Sequence, residues 1–344
     1  MRVAVVGAGV AGLGVACALG DAADVTLFER TDRPGGRAAS RTADGCVYDT
    51  GANYVKSDDD RVSRLLRDEL GEGLAAVEGD VWTFDADGEI SEGRGDDAPK
   101  WTYREGLATL GDRLLDESGA TLEADVPAET LRRGDGAWHV EDPAGRRWGP
   151  WNALVLTPPA PTTASLLDGA DWQSAVRRDL REHVGHVPYR PLLSVALHYP
   201  FEAERPYYAL VNDDKDHDVG WLGREDCKPG HVPDDESLLV VQMAPDWSAE
   251  HYDRADDDVA AAVADRAADL LSDDALAAPD WFDVVRWRDA LPNDGADPET
   301  LRRAEGDDLW FAGDWVAGEG RVHSALRSGL DAGERIRATR SADR

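Results

Sequence analysis

The first 37 residues constrain the fold of this chain more than any other stretch. Residues 3–6 form a short apolar run that predicts a buried parallel strand, and residues 7–12 read Gly-Ala-Gly-Val-Ala-Gly directly after it. Small residues over 11–19 predict a helix, and a second apolar run over 25–28 ends in Glu29. Strand, glycine turn, helix, strand and acid follow one another in the order that a dinucleotide site requires.

The glycines of this turn each have a physical reason. Gly7 permits the tight turn, Gly9 lets the backbone approach a pyrophosphate, and Gly12 lets the helix pack on the strand. The helix begins near Val10 and Ala11, where free N–H groups and the positive end of the helix dipole would face the phosphates.

Glu29 stands at the end of the second predicted strand. A carboxylate at this place would accept hydrogen bonds from ribose hydroxyls. The same segment has an alternative reading as a signal peptide, because Arg2 precedes a small-residue apolar stretch that ends near Asp21. The acid-terminated strand and the motifs further along the chain favour a retained nucleotide-binding segment.

The composition is strongly acidic. The net charge is −32, Asp supplies 48 of the 69 acidic residues, and Lys supplies only 4 of the 37 basic ones. Hydrated short carboxylates and scarce lysine lead us to expect a protein of a halophile, with an ordinary acidic enzyme from a high-GC genome as the alternative. Such a charge disfavours nucleic acid and anionic membranes as partners.

No disulfide framework or zinc spacing is evident in the sequence. Cys17, Cys46 and Cys227 are far apart, and no apolar run reaches membrane-spanning length, so we expect a cytoplasmic protein in a reducing compartment. His183 and His186 have one-turn spacing, and residues 211–219 form an acidic loop. We interpret them as a surface pair and a solvated loop, and predict no metal site.

A second glycine pair follows the nucleotide fingerprint. Residues 30–41 contain four arginines, among them Arg30 and Arg37, and Gly35 and Gly36 again allow close backbone approach. Arg37 could pair with a pyrophosphate as a fork donor, and a solvated basic loop is the alternative. With Glu29, this pattern resembles the FAD-binding amine oxidase superfamily. Gly51-Ala52-Asn53-Tyr54 continues the likeness, which implies a turn beside the flavin ring.

The C-terminal region carries a matching motif. An apolar run over 309–312 ends in Gly313-Asp314, and a glycine loop ending in Arg321 leads into a predicted helix from Val322. The resemblance implies that Asp314 binds the ribityl hydroxyls and that the start of this helix, with Val322 and Ala325, faces the flavin edge where reduction builds negative charge.

The middle of the chain resembles the renalase branch of that superfamily. The resemblance rests on the turn at Lys228-Pro229-Gly230, the segment 245–248, and Arg286-Trp287-Arg288 ahead of a proline. Two positions depart from the relatives: His323 stands where they often carry Glu, and Asp289 where they tend to carry an aromatic residue. Both departures bear on the substrate face.

The expected fold is α/β, an FAD-binding Rossmann-like domain of the amine oxidase and glutathione reductase type with a second, mixed α+β substrate domain. We predict that the FAD-binding domain takes residues 1–60, 100–165 and 285–344. The substrate domain then takes residues 61–99 and 166–284.

The resemblance implies an FAD-dependent oxidoreductase. A small-molecule donor would pass hydride to flavin N5, and O2 would take the electrons and yield H2O2; a renalase-like member would oxidise dihydronicotinamide dinucleotide isomers. Oxidation of a primary amine or polyamine is the first alternative, since the family often has a lysine near N5, and a non-catalytic flavin-binding module is the second. Our predicted catalytic residues are Tyr54, Lys228, Trp287 and Arg288.

Overall fold

The computed structural model describes residues 1–56, 59–93 and 98–342. The strands of the described ranges are β1 (Arg2–Val6), β2 (Asp24–Phe28), β3 (Ser40–Ala43), β4 (Cys46–Asp49), β5 (Leu74–Ala76), β6 (Val81–Phe84), β7 (Ile90–Ser91), β8 (Trp101–Tyr103), β9 (Thr121–Glu123), β10 (Thr130–Gly134), β11 (Ala137–Glu141), β12 (Arg147–Trp151), β13 (Ala153–Leu156), β14 (Tyr189–Tyr199), β15 (Ala209–Asn212), β16 (Val219–Arg224), β17 (Ser237–Met243), β18 (Trp281–Pro292) and β19 (Leu309–Phe311). The helices are α1 (Val10–Leu19), α2 (Asp60–Arg64, continued by a π-helical turn over Leu65–Glu69), α3 (Thr109–Ser118), α4 (Ala160–Asp168), α5 (Arg177–Gly185), α6 (Pro245–His251), α7 (Asp256–Leu271), α8 (Pro298–Arg302), α9 (Asp314–Ala317) and α10 (Val322–Ala342).

A five-stranded parallel sheet carries the predicted nucleotide fingerprint. Its strand order is β19-β13-β1-β2-β9, so β1 lies in the middle with β13 and β2 on its two sides. Residues 3–6 are almost fully buried, as expected for a parallel strand that is covered on both faces. The predicted α/β fold is confirmed.

Two helices from opposite ends of the chain cover one face of this sheet. Gly329 of α10 packs on Ala11 of α1, and Gly333 packs on Val15, one turn further along both helices. The helices therefore run side by side in the same direction, and their N-termini lie at the same edge of the sheet. In the described part of the chain, no helix is both long and apolar enough to cross a membrane.

A seven-stranded mixed sheet forms the second layer of the molecule, in the order β18-β14-β17-β16-β15-β6-β7. Along β14, alternate residues from Leu193 to Tyr199 join the core with α7, while Ala196 packs on the other side, against Cys46 and Tyr48 of β4. This is the period-two pattern of a strand that is covered on both faces.

The hairpin β3–β4 connects the two sheets in space. Its two strands pair in antiparallel register, with Ser40 opposite Asp49 and Ala43 opposite Cys46. The hairpin packs against the outer face of β14 and β17. β18 pairs with β14 from Trp281 to Pro292, so residues 285–292 belong to the seven-stranded sheet. The domain boundaries given above stay a prediction.

Candidate active site

The glycine turn lies between the end of β1 and the start of α1. Gly7 has a φ of +94°, and its N–H donates to the Phe28 carbonyl at 2.8 Å, which ties the turn to β2. A Cβ at Gly12 would lie 2.1 Å from the Gly7 oxygen, so only glycine fits there. Val10 and Ala11 form the first turn of α1, where backbone N–H groups have no partner within the helix.

Glu29 lies directly behind this turn and is almost completely buried. Its carboxylate accepts hydrogen bonds from the Ala8 N–H at 2.9 Å and from the Thr31 N–H and hydroxyl at 3.0 Å each. These bonds fix the carboxylate beside the glycine turn. Arg30, the next residue, is exposed.

The second glycine pair is part of the same backbone surface. The Gly35 N–H donates to the Ala8 carbonyl at 2.9 Å, and Gly9 and Gly35 form an isolated parallel bridge. Gly36 has a φ of +61°, and a Cβ there would lie 3.1 Å from the Gly9 Cα. The two glycine motifs are distant in sequence and adjacent in the folded chain, and the lack of a side chain at Gly36 lets them approach closely.

Arg37 and Asp314 form a two-pronged ion pair across 277 residues of sequence. The guanidinium donates to the two carboxylate oxygens at 2.8 and 2.9 Å, and its Nη1 also donates to the Ala290 carbonyl at 2.8 Å. Burial opposes the charge of Arg37, but Asp314 and Tyr189 outweigh burial and raise its pKa above the ordinary value. The sequence had suggested two separate roles for these residues, and the structure brings them together.

Asp314 begins α9 directly after the sheet strand β19. It also accepts a hydrogen bond from the Tyr189 hydroxyl at 3.2 Å, and Gly313 beside it donates its N–H to the Ser328 hydroxyl of α10 at 3.1 Å. Val322 and Ala325, in the first turn of α10, are half-buried, and Arg321 is exposed. The residues predicted from the two ends of the chain thus meet at one edge of the sheet.

The Gly51–Tyr54 turn is held from three sides. The Ala52 N–H donates to the Arg37 carbonyl at 3.0 Å, Gln242 donates to the Gly51 carbonyl at 2.6 Å, and the Trp287 indole donates to the Thr50 carbonyl at 2.8 Å. Trp287 therefore shapes this turn from β18, and Gln242 contributes to it although no motif had marked this residue.

Asn53 tests whether this turn suits a cofactor. Its side-chain oxygen is buried and has no hydrogen-bond partner among the described residues. A buried acceptor without a hydrogen bond lowers the stability of the fold unless a ligand or a water molecule donates to it. Together with the open glycine surface beside Gly9 and the buried carboxylate of Glu29, this unpaired oxygen fits an FAD molecule that donates hydrogen bonds along its length.

Three aromatic side chains lie next to that turn. The rings of Tyr54, Tyr208 and Trp221 have centroid separations of 6.0–6.3 Å. The Tyr208 hydroxyl and the Trp221 indole N–H are buried without a hydrogen-bond partner in the described residues. Arg288 is not part of this group, because it is exposed on β18 and its guanidinium lies 4.9 Å from the Tyr252 ring centroid.

Lys228 is fully buried between two carboxylates rather than at an open surface. Its Nζ lies 2.7 Å from Asp49 Oδ2 and 2.7 Å from Glu225 Oε1. His231 contacts the other Glu225 oxygen at 2.9 Å through Nδ1 and the Tyr103 carbonyl at 2.9 Å through Nε2. We name Asp49, Glu225, Lys228 and His231 the lysine cluster.

The charges of the lysine cluster stabilise one another. Burial raises the pKa of Asp49, but Lys228 and His231 outweigh it and hold that pKa below its ordinary value. Burial likewise lowers the pKa of Lys228, and the two carboxylates more than reverse this. The amine of Lys228 is thus kept charged and engaged, which makes it a poor candidate for a group that exchanges protons with a substrate.

Comparisons with known proteins agree with this architecture. Residues 5–68 match an NAD(P)-binding Rossmann-like domain, and residues 72–337 match the flavin containing amine oxidoreductase model. The chain belongs to the flavin containing amine oxidoreductase family. It is therefore an FAD-dependent oxidoreductase. Family membership favours an enzyme over the non-catalytic flavin-binding module left open by the sequence.

Individual relatives of the family are distant. Protoporphyrinogen oxidase 2 of Arabidopsis thaliana is 45% identical over 71 residues, which are 20% of this chain and only 14% of the plant enzyme. Cyclohexylamine oxidase of Brevibacterium oxydans IH-35A has 15% identity and a TM-score of 0.74, covering 99% of both chains. A protein from Exiguobacterium sp. 255-15, for which protoporphyrinogen oxidase activity has been suggested, has 13% identity and a TM-score of 0.78 over 100% of this chain and 99% of its own. These structural likenesses show the fold alone.

Proposed function

We propose that the enzyme oxidises an anionic hydride donor, of which dihydronicotinamide dinucleotide isomers are the leading candidates. Bound FAD supplies the hydride acceptor, and O2 is the proposed final electron acceptor, with H2O2 as product. The residues that would hold FAD are those of the two glycine motifs, Glu29 toward the ribose, and Arg37 with Asp314 toward the pyrophosphate and ribityl chain. No acid–base pair is needed if the donor is a dihydronicotinamide.

The observation that carries the proposal is a pair of arginines, Arg190 and Arg321. They lie beside the edge of the five-stranded sheet at which the predicted residues from the two ends of the chain meet. Arg190 pairs with Leu291 across β14 and β18, and Gly320, next to Arg321, packs against Leu291. Burial and the nearby charge of Arg321 lower the pKa of Arg190. In the described part of the chain neither arginine has a carboxylate partner.

Neighbouring positive charges repel each other, and an anion bound between them would relieve that repulsion. In a chain with a net charge of −32, where 69 acidic residues were available as partners, their isolation favours a ligand phosphate or carboxylate. A dinucleotide isomer brings a pyrophosphate to this edge, whereas a protonated amine would be repelled by it.

Amine oxidation is the second candidate, supported by the family and by the aromatic group of Tyr54, Tyr208 and Trp221. Aromatic faces attract cationic ligands. Against it, Lys228, the one lysine among our predicted catalytic residues, is held between two carboxylates of the lysine cluster.

The deciding experiment is anaerobic bleaching of the bound flavin by a panel of donors. We expect fast bleaching by dihydronicotinamide dinucleotide isomers, and Arg190→Gln should raise the half-saturating donor concentration about tenfold or more, since charge-assisted bonds to a phosphate are lost. Arg178→Gln, which removes an exposed arginine of α5, is the charge-matched control. Bleaching by amines alone, or an equal effect of the two variants, would overturn the proposal.

We further propose a salt-adapted, cytoplasmic protein. The support is the acidic composition, since self-repulsion among so many carboxylates destabilises a compact state when salt does not screen it. Full secondary structure after dialysis to low salt would contradict this part of the proposal.

A further inference from the structure

A second cluster of titratable side chains lies on the outer face of the seven-stranded sheet. Cys46 of β4, His198 of β14 and Glu236 ahead of β17 each offer one possible ligand atom, and these atoms lie within 4.8 Å of one another. Cys46 and His198 are almost completely buried, and the Glu236 side chain is 33% exposed. We name these three residues the thiol cluster.

The surroundings of the thiol cluster are negative. His198 Nε2 lies 2.9 Å from Glu236 Oε2, and its Nδ1, which has no hydrogen-bond partner, lies 3.8 Å from Asp280 Oδ2. Burial, then Glu236 and Asp44, raise the pKa of the Cys46 thiol to about 11. Among the described residues, no lysine or arginine pairs with Glu236, Asp280 or Asp44.

The lysine cluster shows what this arrangement lacks. Asp49, Glu225 and His231 also bring three possible ligand atoms within 4.8 Å, but the ammonium group of Lys228 lies between the two carboxylates and supplies the positive charge. The thiol cluster has the same kind of donors and no such group. A bound cation would supply it.

We propose that Cys46, His198 and Glu236 bind a borderline divalent metal ion of the zinc class. Thiolate, imidazole and carboxylate are the donor set that zinc prefers, at bond lengths of about 2.0–2.3 Å. His198 Nε2 and Glu236 Oε2 are already 2.9 Å apart, so the longest separation in the set, which is at most 4.8 Å, is the one that must shorten, by up to about 1 Å. The thiol loses its proton when the metal binds, and that proton passes to solvent.

The neighbours of the cluster suit such a site. Asp280 stands near one ring nitrogen of His198, where it can orient the imidazole while the other nitrogen binds the metal. Trp281 stacks on the His198 ring at 5.0 Å with nearly parallel planes and restrains it further. The partly exposed Glu236 side chain leaves a path for the ion and a place for a water as fourth ligand.

The site would act on structure and not on the hydride donor. His198 is nine residues along β14 from Tyr189, which is about 30 Å for an extended strand. A metal here would join the β3–β4 hairpin to the seven-stranded sheet, and the same hairpin leads through Asp49 and Thr50 into the Gly51–Tyr54 turn. The proposal does not depend on the identity of the donor.

The test uses the full-length, FAD-loaded protein after treatment with a chelator. Zn²⁺ binding is measured by equilibrium dialysis with elemental analysis, and Co²⁺ binding by difference spectra against the Zn²⁺ form, so that flavin absorption cancels. We expect one Zn²⁺ per chain and a thiolate-to-cobalt band in the near ultraviolet. Cys46→Ser should abolish the band and raise the Kd for Zn²⁺ at least about tenfold.

Two further variants keep the result decisive. Glu236→Gln changes a partly exposed side chain and should raise the Kd for Zn²⁺ about tenfold even if Cys46→Ser fails to fold. Cys17→Ser, whose thiol lies in α1 against the Leu114 carbonyl, should leave Zn²⁺ binding unchanged. Absence of the band in the unmodified protein, its survival in Cys46→Ser, its equal loss in Cys17→Ser, or equally tight binding of Mg²⁺ would each overturn the proposal.

Discussion

The lysine cluster and the thiol cluster both contain carboxylates, but they differ in the positive charge that accompanies those carboxylates. Both place carboxylate, histidine and a third group next to the β3–β4 hairpin, one near Asp49 and the other near Cys46. The lysine cluster has its own cation in Lys228 and is closed to solvent, with side chains 0% exposed. The thiol cluster has none and keeps one side open. The buried carboxylates of the lysine cluster are stable only with the counter-charge that Lys228 supplies, whereas the partly exposed Glu236 of the thiol cluster leaves room for an added cation.

The largest expected effect is the loss of the internal cation. Lys228→Met should lower the free energy of unfolding by about 3–5 kcal/mol, because Asp49 and Glu225 would remain buried without a positive partner. Denaturant unfolding measures it. Lys215→Met, in an exposed loop, is the matched control with an expected change near zero, and equal stability of the two variants would show that the lysine cluster needs no ammonium group.

Neutralising one carboxylate of the lysine cluster should lower the free energy of unfolding by a smaller amount. Glu225→Gln keeps the size of the side chain but weakens its bonds to Lys228, His231 and the Asp49 N–H, for a loss of about 2–3 kcal/mol by the same unfolding measurement. A value as large as that of Lys228→Met would mean that Asp49 alone cannot hold the lysine.

The two clusters should also differ in alkaline solution. The folded-state pKa of Cys46, about 11, is above the value near 8.5 of an unfolded thiol, so its contribution to stability is present below about 8.5 and is lost as the pH rises toward 11. The pKa of Lys228 is raised as well, so its contribution is retained up to about pH 10.4 and is lost only above it.

Between pH 8.5 and 10, therefore, the metal-free unmodified protein should lose about 1 kcal/mol of unfolding free energy that metal-free Cys46→Ser retains. Denaturant titrations at several pH values give this difference. A decline of the same size in both proteins would place the alkaline sensitivity outside the thiol cluster.

The smallest effect on stability is expected for Glu236, the partly exposed carboxylate of the thiol cluster. In metal-free protein Glu236→Gln should change the free energy of unfolding by less than about 1 kcal/mol, because a partly exposed pair with His198 gains little from its charge. A loss as great as that of Glu225→Gln would show that the thiol cluster is already complete without a metal.

Local patterns in the sequence were enough for the cofactor-binding fold. The glycine turn, α1 and Glu29 follow one another within 29 residues, and each has a steric or hydrogen-bonding requirement that few residue types meet. Strand β13 is likewise apolar throughout, and it pairs with β1 in the five-stranded sheet.

Long-range pairing was beyond the reach of these patterns. Arg37 and Asp314 are separated by 277 residues, and Lys228 and Asp49 by 179, so no spacing rule relates them. Lys228 drew attention through its turn motif, yet its amine is held by Glu225, three residues earlier, together with Asp49, which is distant in the chain. Cys46, His198 and Glu236 lie on three different strands or their ends and leave no motif, and Arg190 gained significance only when the structure revealed its missing partner.

β14 has a consequence for how this protein can change. One end carries Tyr189 and Arg190 beside the proposed cofactor, and the other carries His198 in the thiol cluster, with alternate residues facing opposite sides between them. Inserting or deleting a single residue within Leu193–Tyr199 would send His198 to the opposite face and displace the apolar residues from the core. The loops around this strand can therefore change in length, whereas the strand itself cannot gain or lose a residue without disturbing one of two sites that are not in contact.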